Sequence, residues 1–333
     1  DRYFGLMKRT LSGTLGKNLI DITFRTAQVA GSPEHQFLMD LRQSALKDDN
    51  LRMQLYQKII ESVHRDESYL ILIGCDNYDV PFKSKDDVTQ ADNSGEVFTY
   101  LLCAVCPVKL TKPNLHYVAD NKVFHDGGIT QVAQPPALGF MFPAFDNRAT
   151  NIYNALYYTR NTKIGQDAFA AAIFNRPIPQ PAQQQKKSFE ALLTTALEDE
   201  SSMDVVQSVH QELCQRIELH KESKVPDALL VCKDEVAQVL RECGVSQQHV
   251  AKFNVDYDAA FGFEAQLHPR NIIDNKRFEV KLPDVSIKVA PDRLDLVQTR
   301  VIDGVKYIMI CADENVEVNG VTINITDEEP ATV

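Results

Sequence analysis

The 333 residues are 44% hydrophobic and 24% charged, the balance of a folded chain rather than a disordered one, and the length exceeds what one core usually fills, so two globular units are expected. A formal net charge of -11 disfavours nucleic acid and anionic membrane as partners, because both attract clustered Lys and Arg. No apolar run approaches bilayer length, Asp1 to Thr10 lack a signal-peptide layout, and seven cysteines, several in apolar segments, point to free thiols in a reducing, cytoplasmic compartment.

A short N-terminal helix is followed by alternation of Ile20, Ile22 and Phe24 with Asp21 and Thr23, the pattern of a half-buried strand. Ser32 with Pro33, and then Asn50, open two amphipathic helices carrying Leu38, Leu41, Leu55 and Ile59. Apolar strands are predicted over Tyr69–Gly74 and Val97–Val108, with Pro81 marking a turn. A hairpin follows in which Leu115–Val118 turns through Asp120 and Asn121 into Val123–His125. Leu138–Phe145 reads as a strand, Asp146 as the cap of a helix through Ile152, Leu156 and Tyr157 ending near Asn161, and Asp167–Phe174 as a further short helix.

Pro177, Pro179, Pro181 and a glutamine triplet make 176–187 an extended connector. Ser188 and Ser202 precede helical patterns, Gly244 and Gly262 close two more, and Phe278–Leu282, Val285–Val289, Gln298–Ile302, Val305–Ile310, Val316–Val318 and Val321–Ile325 read as strands. Asp303-Gly304 and Asn319-Gly320 tolerate positive φ at both central positions of a type I′ turn, so each joins adjacent antiparallel strands. The expected fold is therefore α+β, with mixed, largely antiparallel sheets and flanking helices in two sheet-containing units. Its parts are an N-terminal α+β domain over 1–175, the linker 176–187, a helical segment 188–225, and a C-terminal α+β domain with hairpins over 226–327.

Motifs that would carry familiar chemistry fail on inspection. Ser12-Gly13-Thr14-Leu15-Gly16-Lys17 lacks the first glycine and the final hydroxyl of a phosphate loop and precedes a strand instead of following one. Cys103 and Cys106 lie in a strand, where their spacing sends the thiols to opposite faces. His210 and Cys214 share a helix face without a third ligand. No metal set and no cofactor are expected. The polar strand ends are more suggestive: Asp76 and Asp79 after one strand, and Asp146, Asn147 and Arg148 after another, are candidate ligand-binding residues if both ends open on one side of the sheet.

Four stretches, Thr10–Phe24 (TLSGTLGKNLIDITF), Cys106–Pro113 (CPVKLTKP), Gly139–Thr159 (GFMFPAFDNRATNIYNALYYT) and Thr299–Ile310 (TRVIDGVKYIMI), resemble the bacterial family called domain of unknown function 4317 over nearly the whole chain. That resemblance implies a bacterial, cytosolic origin and a further segment upstream of Asp1, and it supplies no mechanism. With every catalytic motif failing, the expected function is a noncatalytic binding or scaffold protein, with a protein partner or self-association as the contact. The rivals are an enzyme acting on an anionic small molecule gripped near Asp146 and Arg148, and a nucleic-acid-associated protein using Lys276, Arg277, Lys281, Lys288, Arg293, Arg300 and Lys306 of the C-terminal sheet.

Overall fold

In a computed structural model of the chain the described residues are 2–13, 15–64, 67–83, 89–113, 115–146, 149–161, 167–223, 225, 227–263, 265–312 and 316–323, with side chains left aside at 2, 81–83 and 89–96. The architecture is α+β with antiparallel pairing throughout the described sheets. Two compact units form, one from Asp1–Phe189 with His220–Leu230, the other from Glu190–Leu219 with Val231–Val333.

The first unit holds α1 (Arg2–Leu11), β1 (Leu19–Thr23), α2 (Thr26–Gly31), α3 (Pro33–Gln43), α4 (Asp49–Ser62), β2 (Tyr69–Lys83), β3 (Thr89–Leu110), β4 (Leu115–Val118), β5 (Val123–Asp126), β6 (Gln131–Ala133), β7 (Leu138–Phe142), β8 (Ala144–Asp146), β9 (Ala149–Asn151), β10 (Asn154–Thr159) and α5 (Asp167–Phe174). Six strands make one sheet in the order β1-β10-β7-β3-β2, with β6 added to the far end of β3. Strand alternation sorts the side chains onto two faces. One face gathers Ile20, Ile22, Leu101, Cys103, Val105, Leu138, Phe140, Ala155 and Tyr157 beneath Leu38, Leu41, Leu55, Ile59, Phe169 and Phe174 of α3, α4 and α5. The other carries Tyr100, Leu102, Ala104, Cys106 and Met141 beneath Met7 and Leu11 of α1. Cys103 and Cys106 thus point to opposite faces, and the cysteines among the described residues are free thiols.

The segment after Asp146 corrects the sequence reading: Asp146 ends β8 instead of capping a helix, and β9 and β10 stand where that helix was expected. β10 is flanked by β1 and β7 and covered on both sides, so it is apolar along most of its length, and such a run mimics helical spacing. Smaller corrections have local causes. β2 and β3 extend as one long ribbon past the residues read as loop, and Pro81 is accommodated by register shifts on either side of it instead of ending the strand. The helix assigned to Asn50 is capped earlier by Asp48, whose side chain accepts from the amides of Asn50 and Leu51. The Pro/Gln stretch read as linker is helical from Ala182, immediately after Pro181, so α6 (Ala182–Leu197) already contains Ser188; glutamine and lysine favour helix once proline has set the first turn.

The second unit receives the end of α6 and most of α7 (Met203–Ser223), then β11 (Val231–Cys232), α8 (Lys233–Glu242), α9 (Gln247–Phe261), β12 (Gln266–Leu267), α10 (Pro269–Ile272), β13 (Phe278–Lys281), β14 (Ser286–Val289), β15 (Val297–Ile302), β16 (Val305–Ile310), β17 (Val316–Val318) and β18 (Val321–Ile323). Asp303 and Gly304 have φ of 51° and 80°, and Asn319 and Gly320 have 52° and 80°, the doubly positive pair of a type I′ turn. Among the described residues these strands pair two by two, β11-β12, β13-β14, β15-β16 and β17-β18. The expectation of a buried side to each ribbon fails here: Val305 and Val321 are 52% and 64% exposed.

Gly139 marks the tightest approach in the sheet, since an added Cβ would lie 2.3 Å from the Cys103 carbonyl oxygen, a backbone atom that cannot rotate away. Gly139→Ala is expected to destabilise the first unit by about 3 kcal/mol or more, read as a lower urea midpoint; an unchanged midpoint would contradict the β3–β7 pairing.

Candidate functional site

The α1 side of the first sheet carries its polar side chains toward one end. Register places Thr23 beside Asn154 and Tyr100 beside Asp76, with Asp21 one step along β1. Asn154 is buried and its Nδ2 donates to Asp21 Oδ1 at 2.6 Å and to Thr23 Oγ1 at 3.2 Å, while Asn151 Nδ2 donates to Asn154 Oδ1 at 3.2 Å. Burial pushes the Asp21 carboxyl up to about 6; the bond from Asn154 opposes the shift and the nearby Asp146 carboxylate adds to it. Across the sheet, Tyr100 Oη donates to Asp76 Oδ2 at 2.9 Å and Lys8 Nζ reaches the same oxygen at 3.4 Å. Burial alone would raise Asp76, yet hydrogen bonds from Tyr100, the Asn77 backbone and Lys8 outweigh it and hold the carboxyl below its usual range.

Of the residues singled out from sequence, Asp76 lies on this side of the sheet, paired with Tyr100, and Asp146 is near enough to Asp21 to disfavour its charged form. Asp79, three residues beyond Asp76 on the same strand, points to the opposite face and is exposed. Asn147 and Arg148 lie outside the described residues. Sequence reasoning missed Asp21 and Asn154; the signal was a lone aspartate on the polar side of an otherwise apolar strand.

A different kind of surface lies on the ribbons of the second unit. In the β15-β16 pair, Ile302 opposes Val305, Arg300 opposes Tyr307 and Gln298 opposes Met309, so these six side chains share one face. Val305, Ile302, Tyr307 and Met309 there are 52%, 46%, 44% and 40% exposed. The base is anchored through buried Leu294 and Val297, whose carbonyls accept from Gln207 Nε2 at 3.3 and 3.4 Å. Among the described residues β15 and β16 pair with nothing but each other, so each presents an unpaired edge.

The remaining candidates are structural. His210 is buried, its Nε2 contacts the Asp274 carbonyl at 2.9 Å and its Nδ1 lies 3.6 Å from Cys214 Sγ, so both ring nitrogens are already engaged. Glu198, Asp199 and His249 have ligand atoms within 4.8 Å of one another, but Lys252 already sets its ammonium against Glu198. No helix among the described residues is long and apolar enough to cross a membrane.

Compared with known families, residues 1–321 match the one described as domain of unknown function (DUF4317). The chain belongs to that family. No curated protein and no solved structure matches it.

Because the folded-state pKa of Asp21, about 6, lies above the ordinary 3.8, the native state binds the proton more tightly than the unfolded chain. The stability penalty is therefore absent below pH 4, grows as pH rises through this window, and is fully present above pH 6. Wild type is expected to lose on the order of 2 kcal/mol relative to Asp21→Asn between pH 4 and pH 7, measured by urea denaturation of both proteins; parallel pH profiles would contradict the burial of this carboxyl.

Proposed function

We propose that this protein is a noncatalytic binding or scaffold protein, of bacterial and cytosolic origin, that associates through the ribbons of its second unit, and that the occupant of the β16 edge is a second copy of the same chain. The observation that carries the reading is the run Val305-Lys306-Tyr307-Ile308-Met309-Ile310 on an unpaired edge. It has β-branched and aromatic residues, one charge, and neither proline nor glycine, the composition that recruits another strand. An antiparallel self-pairing centred on Tyr307 sets Val305 against Met309 of the second copy and Lys306 against Ile308, so no like charges meet and the apolar face doubles in width.

The rival readings have less support. Nucleic acid would need free cations, whereas Lys281 and Lys288 both lie at Glu279 and Arg293 lies 3.5 Å from Asp295. An enzyme gripping an anion near Asp146 and Arg148 would place that anion near the Asp21 carboxyl, which Asp146 already disfavours in its charged form. The pair of Asp21 and Asp146 suits a hydrogen-bond donor or cation better.

Sedimentation velocity over a wide concentration range tests the proposal. Wild type should show concentration-dependent dimerisation, and Tyr307→Glu, which opposes two carboxylates at the centre of the pairing, should weaken it at least ~10-fold (~1.4 kcal/mol) with an unchanged Tm, since Tyr307 is already 44% exposed. A wild-type protein that stays monomeric, or a variant that dimerises equally well, would overturn it.

A further inference from the structure

His116 and His125 are nine positions apart in the sequence, but the β4-β5 ribbon makes them direct partners: Leu115 pairs with Asp126, His116 with His125, Tyr117 with Phe124 and Val118 with Val123. Direct partners point to the same face, with Cβ atoms about 4.5–5.5 Å apart. The register has independent support on the other face, where the Tyr117 and Phe124 rings pack at 5.2 Å between centroids. Both histidines are exposed, so their ring nitrogens are open to solvent and to an ion. This is the spacing two imidazoles need to share one metal: with Zn–N bonds of about 2.0–2.1 Å and a tetrahedral angle, the two nitrogens sit about 3.4 Å apart, within reach of rings swung toward each other from opposed strands.

We propose that His116 and His125 form a two-histidine site for a divalent transition-metal ion of borderline softness, zinc or copper, on the exposed β4-β5 ribbon. Imidazole selects these ions over calcium and magnesium, which prefer oxygen. The remaining coordination positions face water, so the site is open. It also ties together a two-stranded ribbon, a structure that is marginal by itself in water.

Calorimetric titration of the full chain with Zn2+ tests the assignment, with Ca2+ as the oxygen-seeking control. Wild type is expected to bind Zn2+ and not Ca2+ on this ribbon. His116→Ala and His125→Ala should each weaken Zn2+ binding at least as much as the roughly 10-fold that loss of an outer-shell partner costs, whereas His249→Ala should leave that binding event in place. Both ribbon positions are exposed, so an unchanged far-ultraviolet circular dichroism spectrum is expected and shows that the variants are folded. Cu2+ bound to wild type should show coupling to two nitrogens by electron paramagnetic resonance, and to one fewer in either variant. Zn2+ binding that is absent from wild type, unchanged in both ribbon variants, or lost only in His249→Ala would overturn the proposal.

Discussion

Antiparallel pairing along β3 is the constraint on which the rest of the first unit depends. Leu101 to Val105 pair with β2 on one side and with β7 on the other, and the far end of the strand takes up β6. Because strand side chains alternate with a period of two, this single register decides which residues go beneath the helices and which go beneath α1. A slip of one residue would send Cys103 and Val105 to the α1 side and drive Tyr100 and Leu102 under α3 and α4. Gly139 guards against the slip, for it lets β7 lie against the Cys103 carbonyl in this register. The placement of the polar side chains follows from the same arithmetic, since Asp21 with Asn154 toward one edge and Tyr100 with Asp76 at the other all fall on the α1 face.

The second unit obeys the same pairing rule with a different outcome. Two of its ribbons close through Asp-Gly and Asn-Gly turns, and among the described residues its ribbons do not join into a wider sheet. A buried valine, leucine or phenylalanine contributes roughly 1.5–3 kcal/mol. Val297 and Leu294 supply such burial at the base of β15-β16, while Ile302, Val305 and Met309 leave theirs unrealised. Exposed apolar residues concentrated on an unpaired edge, rather than scattered singly, are what the proposed association rests on.

What could be read from the sequence follows these physical lines. Hairpins were legible because Asp303-Gly304 and Asn319-Gly320 fix local φ regardless of tertiary context, and α3, α4 and α5 were legible because each has one covered face. β10 was misread because a strand in mid-sheet is covered on both sides and loses its alternation. The exposure of the C-terminal ribbons was not legible at all: alternation shows that a strand has two unlike faces, and says nothing of whether an apolar face finds cover. The candidate residues were legible only as polar strand ends: Asp76 and Asp79 read as neighbours, whereas three residues along a strand reverse the face, and Asp21 meets Asn154 only through β1–β10 pairing between segments far apart in sequence.

Amide hydrogen exchange resolved to single residues tests this account most directly. The pairing predicts that Leu101 to Val105 exchange slowest, held between two strands and covered by side chains on both faces, and that in dilute protein the β4-β5 and β15-β16 ribbons exchange orders of magnitude faster. Protection of the ribbons equal to that of β3 at the same dilution, or fast exchange along Leu101 to Val105, would contradict it.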